Sequence, residues 1–108
     1  MNWKVEYTDA AVSDLMALDN SRRLSVRKAI DKVSRNPLPV SEGGYGKPLG
    51  NRHGKDLTGL CKIKLLREGI RIVYRVVREN NVMKIVVIAA RADDEVYALA
   101  DQRTAKKP

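Results

Sequence analysis

Apolar positions along the first forty residues change from the period of a strand to that of a helix. Residues 3–7 alternate between apolar and polar side chains, which predicts a short strand. Thr8 is a suitable N-cap for a first helix, and the polar residues 19–21 can cap a second one. The second helix has an apolar face at Val26, Ala29, Ile30 and Val33, and it ends before Pro37. These two segments predict a helical hairpin.

The second half of the chain has the pattern of strands. Residues 37–59 are rich in glycine and proline and predict a loop or a set of short turns. Strands follow at 61–66, 70–78 and 82–90, with short hairpin connections that make this part of the sheet antiparallel. Acids at the start and bases at the end of residues 93–106 match a helix dipole. We therefore predict an α+β fold of order β-α-α-β-β-β-α, with the helical hairpin packed on a small antiparallel sheet and a C-terminal helix.

Length and composition limit the class of protein. A chain of 108 residues is expected to form a single domain, residues 1–108. It has no apolar run long enough to span a membrane and no apparent secretory signal at residues 1–8. Cys61 is the single cysteine, which favours a reducing, cytoplasmic setting. Neither a metal-ligand spacing nor a nucleotide-binding fingerprint is present, so we expect no metal and no small-molecule cofactor.

The net charge of +8 is concentrated in the middle of the chain. Residues 1–20 carry −3, residues 21–78 carry +11 and residues 79–108 carry 0. A localised basic region is typical of proteins that bind a polyanion, either nucleic acid or an acidic protein. The alternative is a hydrated basic face that has no ligand.

Strand alternation predicts where these charges lie. If residues 68 and 69 form a two-residue turn, Leu65 pairs with Ile72 and Lys64 with Val73. One face of the strand pair is then apolar, and the other carries Lys62, Lys64, Arg71 and Arg75. Arg75 is a candidate RNA-binding residue, as are Arg22 and Lys28 on the polar face of the second helix.

A basic face of this kind could support RNA cleavage without a metal. The reaction needs a base for the ribose 2′-hydroxyl, cations for the developing phosphorane and an acid for the leaving 5′-oxygen. Lysine and arginine supply the electrostatic part. Two residues are candidate bases: His53, the single histidine, and Tyr97, because a phenol close to several cations ionises more readily. Cys61 lacks a histidine partner and is interpreted as a small buried side chain.

The stretches "DLTGLCKIKLLREGIRIVYRVV" and "IVVIAARADDEVY" resemble the RelE branch of the RelE/ParE toxin superfamily. The resemblance implies a toxin of a toxin–antitoxin module that enters the ribosomal A site and cuts mRNA to a 2′,3′-cyclic phosphate. It implies five catalytic residues, which are Lys62, Lys64, Arg71, Arg91 and Tyr97. It also implies an acidic, RelB-like antitoxin as the partner, besides the ribosome and its mRNA.

Within this resemblance, Tyr97 is the expected base, and Arg71 and Arg91 are expected to stabilise the transition state. A two-residue turn at 80–81 would pair Arg71 with Ala90 and direct Arg91 to the opposite face, so a bulge, a twist or an odd-length loop is needed. Two other functions remain open. One is a ParE-like poison of DNA gyrase without nuclease activity, and the other is a non-catalytic RNA-binding module.

Overall fold

The described residues, 2–52 and 55–104, form one mixed sheet with helices on both faces in this computed structural model. The strands are β1 (Lys4–Tyr7), β2 (Lys47–Arg52), β3 (Lys55–Leu65), β4 (Ile70–Val77) and β5 (Val82–Ala89). The helices are α1 (Asp9–Met16), α2 (Asn20–Val33) and α3 (Asp93–Thr104), with a short 3-10 turn at Val40–Glu42. The strand order is β1-β5-β4-β3-β2. No helix in these ranges has the length and apolarity to cross a membrane.

The predicted α+β class, the helical hairpin and the C-terminal helix are confirmed, but the loop prediction for residues 37–59 is wrong in its second half. That segment contains β2 and the first residues of β3. Pro48 is tolerated in β2 because this strand lies at the edge of the sheet, where a missing N–H is harmless. A register shift between Pro48 and Gly50 further disguises the strand pattern. In addition, β1 joins the antiparallel strands in parallel, beside β5.

The helical hairpin covers one face of the sheet, which we call the hairpin face. The predicted caps are confirmed, because the Thr8 and Asp19 side chains accept hydrogen bonds from the backbone N–H groups of Ala11 and Arg22. Apolar residues of both helices form a core with inward-facing strand residues. This core includes Ala11, Leu15, Val26, Ile30, Val33, Cys61, Ile70, Ile72, Tyr74, Met83, Ile85 and Ile88.

The predicted register of β3 and β4 is wrong by two residues, although the predicted faces are right. Leu65 lies opposite Ile70 and Lys64 opposite Arg71, so the connection is residues 66–69 rather than a two-residue turn. Gly69 has φ +68° in this connection, a conformation that glycine adopts without strain. A shift of two residues preserves the alternation, so each side chain remains on its expected face.

A bulge in β5 explains how Arg91 can lie on the same side of the sheet as Arg71. Tyr74 pairs with Ile85, whereas Val73 pairs with Val87, so Val86 is the extra residue. Arg71 therefore lies opposite Ala89 and not opposite Ala90 as a two-residue turn predicts. Val86 and Val87 both contribute to an apolar core on the face opposite the helical hairpin, as expected for the two residues of a bulge. The bulge brings Arg91, two residues after Ala89, to the side of the sheet that carries Arg71.

The opposite face of the sheet, which we call the cationic face, is covered by α3. Val96, Tyr97 and Ala100 of this helix pack on a second core that includes Leu60, Val73, Val86 and Val87. At the end of α3, the Arg103 guanidinium donates to the carboxylate of Asp14 on α1 at 2.7 Å and to the carbonyl of Val86 at 2.8 Å. The same carboxylate accepts from the Ile88 backbone N–H at 3.0 Å. This ion pair ties α1, β5 and α3 together.

The segment between α2 and β2 folds back on Tyr74. The Tyr74 hydroxyl donates to the carbonyl of Pro37 at 2.8 Å, and Gly46 packs against both groups. A Cβ atom on Gly46 would lie 2.5 Å from the Tyr74 oxygen and 2.8 Å from the Pro37 oxygen. Glycine is therefore required at position 46 by close approach of the backbone to Tyr74.

We expect Gly46→Ala to lower the free energy of unfolding by about 1–3 kcal/mol, because the added methyl group overpacks a closely packed site. Chemical denaturation of the purified chain measures this change. Ser41→Ala, an exposed position in the same segment, is the control and should change stability by less than about 0.5 kcal/mol. Equal stability of the two variants would show that the segment can move away from Tyr74.

Candidate active site

Strand alternation brings the first group of predicted site residues together on the cationic face. Lys62 and Lys64 occupy alternate positions of β3, and Arg71 lies opposite Lys64 on β4. Their side chains are partly buried, because α3 lies over this part of the sheet. Three cations on adjacent strands repel one another, so each needs an anion or a polar acceptor nearby.

Tyr97 is part of the second core and also contacts one of these cations. The residue is only 3% exposed. The Lys62 ammonium donates to the Tyr97 hydroxyl at 2.8 Å and lies 5.5 Å from the centre of the ring. The predicted proximity of a phenol and a cation is therefore present, but the phenol faces the protein interior beneath α3.

Asp93 holds the remaining cations of this group. Its carboxylate, in the first turn of α3, accepts from the Lys64 ammonium at 3.4 Å and from the Arg71 guanidinium. Burial acts to raise the pKa of Asp93, but the hydrogen bonds from Arg71 and Lys64 outweigh it and hold the pKa below its ordinary value. A carboxylate bound by two cations occupies the kind of position that a phosphate group would take.

Arg91 lies at the edge of this group. Its backbone carbonyl accepts from the Arg71 guanidinium at 2.7 Å, so the two residues are adjacent. The Arg91 side chain is 57% exposed and approaches Glu95 at 4.0 Å. We name the set of Lys62, Lys64, Arg71, Arg91 and Tyr97, together with Asp93, the α3-covered cluster.

The other predicted site residues lie apart from this cluster. Arg75 is on the cationic face but opposite Leu60, four residues from Arg71 along β4. Arg22 and Lys28 are exposed on α2, which packs on the hairpin face. His53 lies outside the described residues. Cys61 is buried as predicted, and burial raises the pKa of its thiol.

Sequence reasoning missed Asp93 as a member of the site. It treated the acidic residues at the start of the last helix as a response to the helix dipole alone. The available signal was positional, because α3 begins four residues after the end of β5 and the end of β5 lies beside Arg71. Among the described residues, no three side chains of His, Cys, Asp or Glu lie close enough together to hold a metal ion.

Comparison with known sequences gives one curated relative of interest. The chain is 27% identical over 103 residues to a RelE-like toxin protein of Escherichia coli. The alignment covers 95% of this chain and 98% of the relative. No family model matches the sequence.

Solved structures of RelE-type toxins are also similar to this chain. A double mutant of the E. coli toxin RelE in the free state superposes with a TM-score of 0.73, with 23% identity, over 96% of this chain and 99% of that one. The RelBE2 toxin–antitoxin complex of Mycobacterium tuberculosis matches with a TM-score of 0.62 and 29% identity, over 84% of this chain and 100% of that one. The resemblance to the RelE branch and the α+β fold are confirmed.

Replacement of Asp93 should reveal its role as an anion on the cationic face. We expect Asp93→Asn to lower the free energy of unfolding at pH 7 by roughly 0.5 kcal/mol, because a partly exposed ion pair contributes modestly. The pKa of Asp93 is depressed in the folded chain, so its contribution is present above the ordinary carboxyl pKa and is lost as the pH falls through the folded value.

The difference in Tm between the parent chain and Asp93→Asn should therefore shrink as the pH is lowered below about 4. Asp9→Asn, which changes an exposed acid in the first turn of α1, is the control for the helix dipole. A pH-independent difference in Tm would contradict the ion pair with Lys64 and Arg71.

Proposed function

We propose, from the premise that the chain is a RelE-like toxin, that it is a ribosome-dependent endoribonuclease that cuts mRNA in the A site. The observation that carries this proposal is the α3-covered cluster, in which Lys62, Lys64 and Arg71 on one face of the sheet are bonded to Tyr97 and Asp93 of α3. These residue types can bind a phosphodiester and catalyse its cleavage without a metal ion. Under this proposal, the substrate is mRNA and the protein acts in the cytoplasm.

The reaction that we propose is an internal transfer of the phosphoryl group. The phenolate of Tyr97 accepts the proton of the ribose 2′-hydroxyl, and the 2′-oxygen attacks the adjacent phosphorus atom. The bond from phosphorus to the 5′-oxygen breaks, and this oxygen takes a proton from a neighbouring cationic side chain. The products are a 2′,3′-cyclic phosphate and a 5′-hydroxyl. Lys62, Lys64, Arg71 and Arg91 stabilise the additional negative charge on the phosphorane.

Access to the cluster requires a movement of α3. Tyr97 is 3% exposed, and Lys64 and Arg71 are both bonded to Asp93. A substrate phosphate must therefore displace the Asp93 carboxylate, and the first turn of α3 must shift to expose the phenol. The contacts of Asp93 are partly exposed ion pairs, which are weak enough for a polyanion to replace them.

We also propose that an acidic, RelB-like antitoxin is the partner in the resting state. Two matched structures, the intact E. coli RelBE complex and the M. tuberculosis RelBE2 complex, are toxin–antitoxin complexes. Residues 21–78 of the present chain carry a net charge of +11, which complements an acidic segment. Such a segment is expected to cover the cationic face or to displace α3.

Substitutions within the cluster should separate chemistry from binding. Tyr97→Phe deletes one hydroxyl and should slow cleavage on ribosomes by ~10²–10⁴ if this group is the base. Arg71→Ala and Arg91→Ala should each slow it by ~10²–10³ through loss of transition-state stabilisation. The measurement is a single-turnover rate at saturating toxin, which removes differences in binding.

The matched control is Arg22→Ala with Lys28→Ala on α2, which should weaken docking at most and leave the saturated rate unchanged. An unchanged saturated rate in Tyr97→Phe would remove Tyr97 from the role of base.

Ribosome dependence is a separate prediction. Phenols are mostly protonated at pH 7, so correct positioning of the substrate must supply much of the acceleration. We expect the purified chain to cut mRNA at A-site codons on translating ribosomes and to leave the same RNA intact in free solution. Primer extension detects the cuts in both reactions. Rapid cleavage of free RNA would contradict this prediction, and intact mRNA together with DNA damage in cells would favour a gyrase poison.

A further inference from the structure

A second group of cations lies on the cationic face beyond the end of α3. Arg75 on β4 and Lys84 on β5 are cross-strand partners. Both line an open cavity of about 290 Å³, together with Thr8, Val77, Arg103 and Thr104. Arg75 and Arg71 are four residues apart on one strand, so their Cα atoms are about 13 Å apart at ~3.3 Å per residue. Lys62 of the α3-covered cluster is nearer, because it lies opposite Val73.

The charges of this pair are uncompensated within the described part of the chain. Like charges that face each other across two strands are destabilising. Lys64 and Arg71 share Asp93, Arg91 approaches Glu95, and Arg103 is bonded to Asp14, but no described carboxylate forms a salt bridge with Arg75 or Lys84. Glu6, the neighbour of Lys84 on β1, pairs with Lys4 at 3.6 Å instead.

Arg75 and Lys84 are both partly exposed. The Arg75 guanidinium lies beside Gly59 of β3, and a Cβ atom at that position would be only 3.5 Å from it. Gly59 therefore leaves the space next to Arg75 uncovered by a side chain. Two threonine hydroxyls, of Thr8 and Thr104, line the same cavity and can contribute hydrogen bonds to an anion. The volume accommodates a phosphate group with several waters, since each water occupies ~30 Å³ in the liquid.

We propose that Arg75 and Lys84 form a second phosphate subsite, which binds a backbone phosphodiester of RNA away from the bond that is cut. The inference rests on the proposed function, because that function supplies RNA as the ligand. A nucleic-acid strand that enters the α3-covered cluster carries further phosphates along its length, and a second cationic position fixes its direction on the sheet. The source of the phosphate is either the mRNA strand or ribosomal RNA.

Binding without cleavage tests this proposal. The probes are a fluorescent 2′-O-methyl RNA oligonucleotide, which lacks the attacking hydroxyl, and ribosomes without mRNA. The full chain with Arg75→Gln and Lys84→Gln is compared with a variant that carries Arg27→Gln and Arg35→Gln, two exposed cations on the hairpin side. We expect only the variant with Arg75→Gln and Lys84→Gln to bind about tenfold more weakly. The slope of log affinity against log salt concentration should also be smaller in magnitude by about 0.7 for each lost phosphate contact.

The two probes separate the sources of the phosphate. Weaker binding of the oligonucleotide indicates the mRNA strand, and weaker binding of ribosomes alone indicates ribosomal RNA. Equal salt slopes for the two variants with both probes would overturn the subsite. If the double variant does not fold, the single variant Lys84→Gln replaces it, and the expected change in salt slope is about half as large.

Cleavage is measured independently, so the two proposals can fail separately. The saturated rate on ribosomes should be unchanged in the control with Arg27→Gln and Arg35→Gln, two exposed positions that belong to neither proposed site. If the parent chain cuts no mRNA but the salt slope still depends on Arg75 and Lys84, the proposed nuclease function fails and the phosphate subsite stands.

Discussion

Mutual repulsion among cations on one face of the sheet is the constraint on which the rest of this structure depends. Alternation along β3 and β4 directs Lys62, Lys64, Arg71 and Arg75 to the same side. Such an arrangement is unfavourable unless other groups compensate the positive charge. Two groups of α3 interact with these cations: the carboxylate of Asp93 in its first turn, and the Tyr97 hydroxyl, which accepts a hydrogen bond from Lys62. The position of α3 is therefore an electrostatic result as much as an apolar one.

The apolar residues of the same helix keep the proposed base buried. Val96, Tyr97 and Ala100 are buried against the sheet, and this burial stabilises the arrangement in which the phenol is inaccessible. A residue that serves as a core side chain in the resting chain is also the proposed base. Under the proposed function, stability and activity thus compete at Tyr97, and a partner that changes the position of α3 would change both.

The sequence predicted the faces of the sheet better than its register. Alternation depends only on odd and even positions, so the shift of two residues between β3 and β4 left every prediction of orientation intact. The connections at 66–69 and 78–81 are longer than the two-residue turns expected from glycine and asparagine. The extra residue Val86 could not be found from the pattern, because its neighbours Ile85 and Val87 are also apolar. Strand β2 was missed because Pro48 and Gly50 are typical of turns, and its edge position became visible only with the topology.

The pair formed by Asp14 and Arg103 has a consequence for self-association. Strand β1 ends at Tyr7, whereas β5 continues to Ala89, so no strand of the described residues lies beside the last part of β5 on that side. The Ile88 N–H and the Val86 carbonyl at this edge are bonded instead to the Asp14 carboxylate and the Arg103 guanidinium. Two charged side chains thus take the place of a neighbouring strand. They occupy the backbone groups with which an open sheet edge could pair with a strand of a second chain. A change that removed either charge would leave the fold largely in place but open this edge to intermolecular strand pairing.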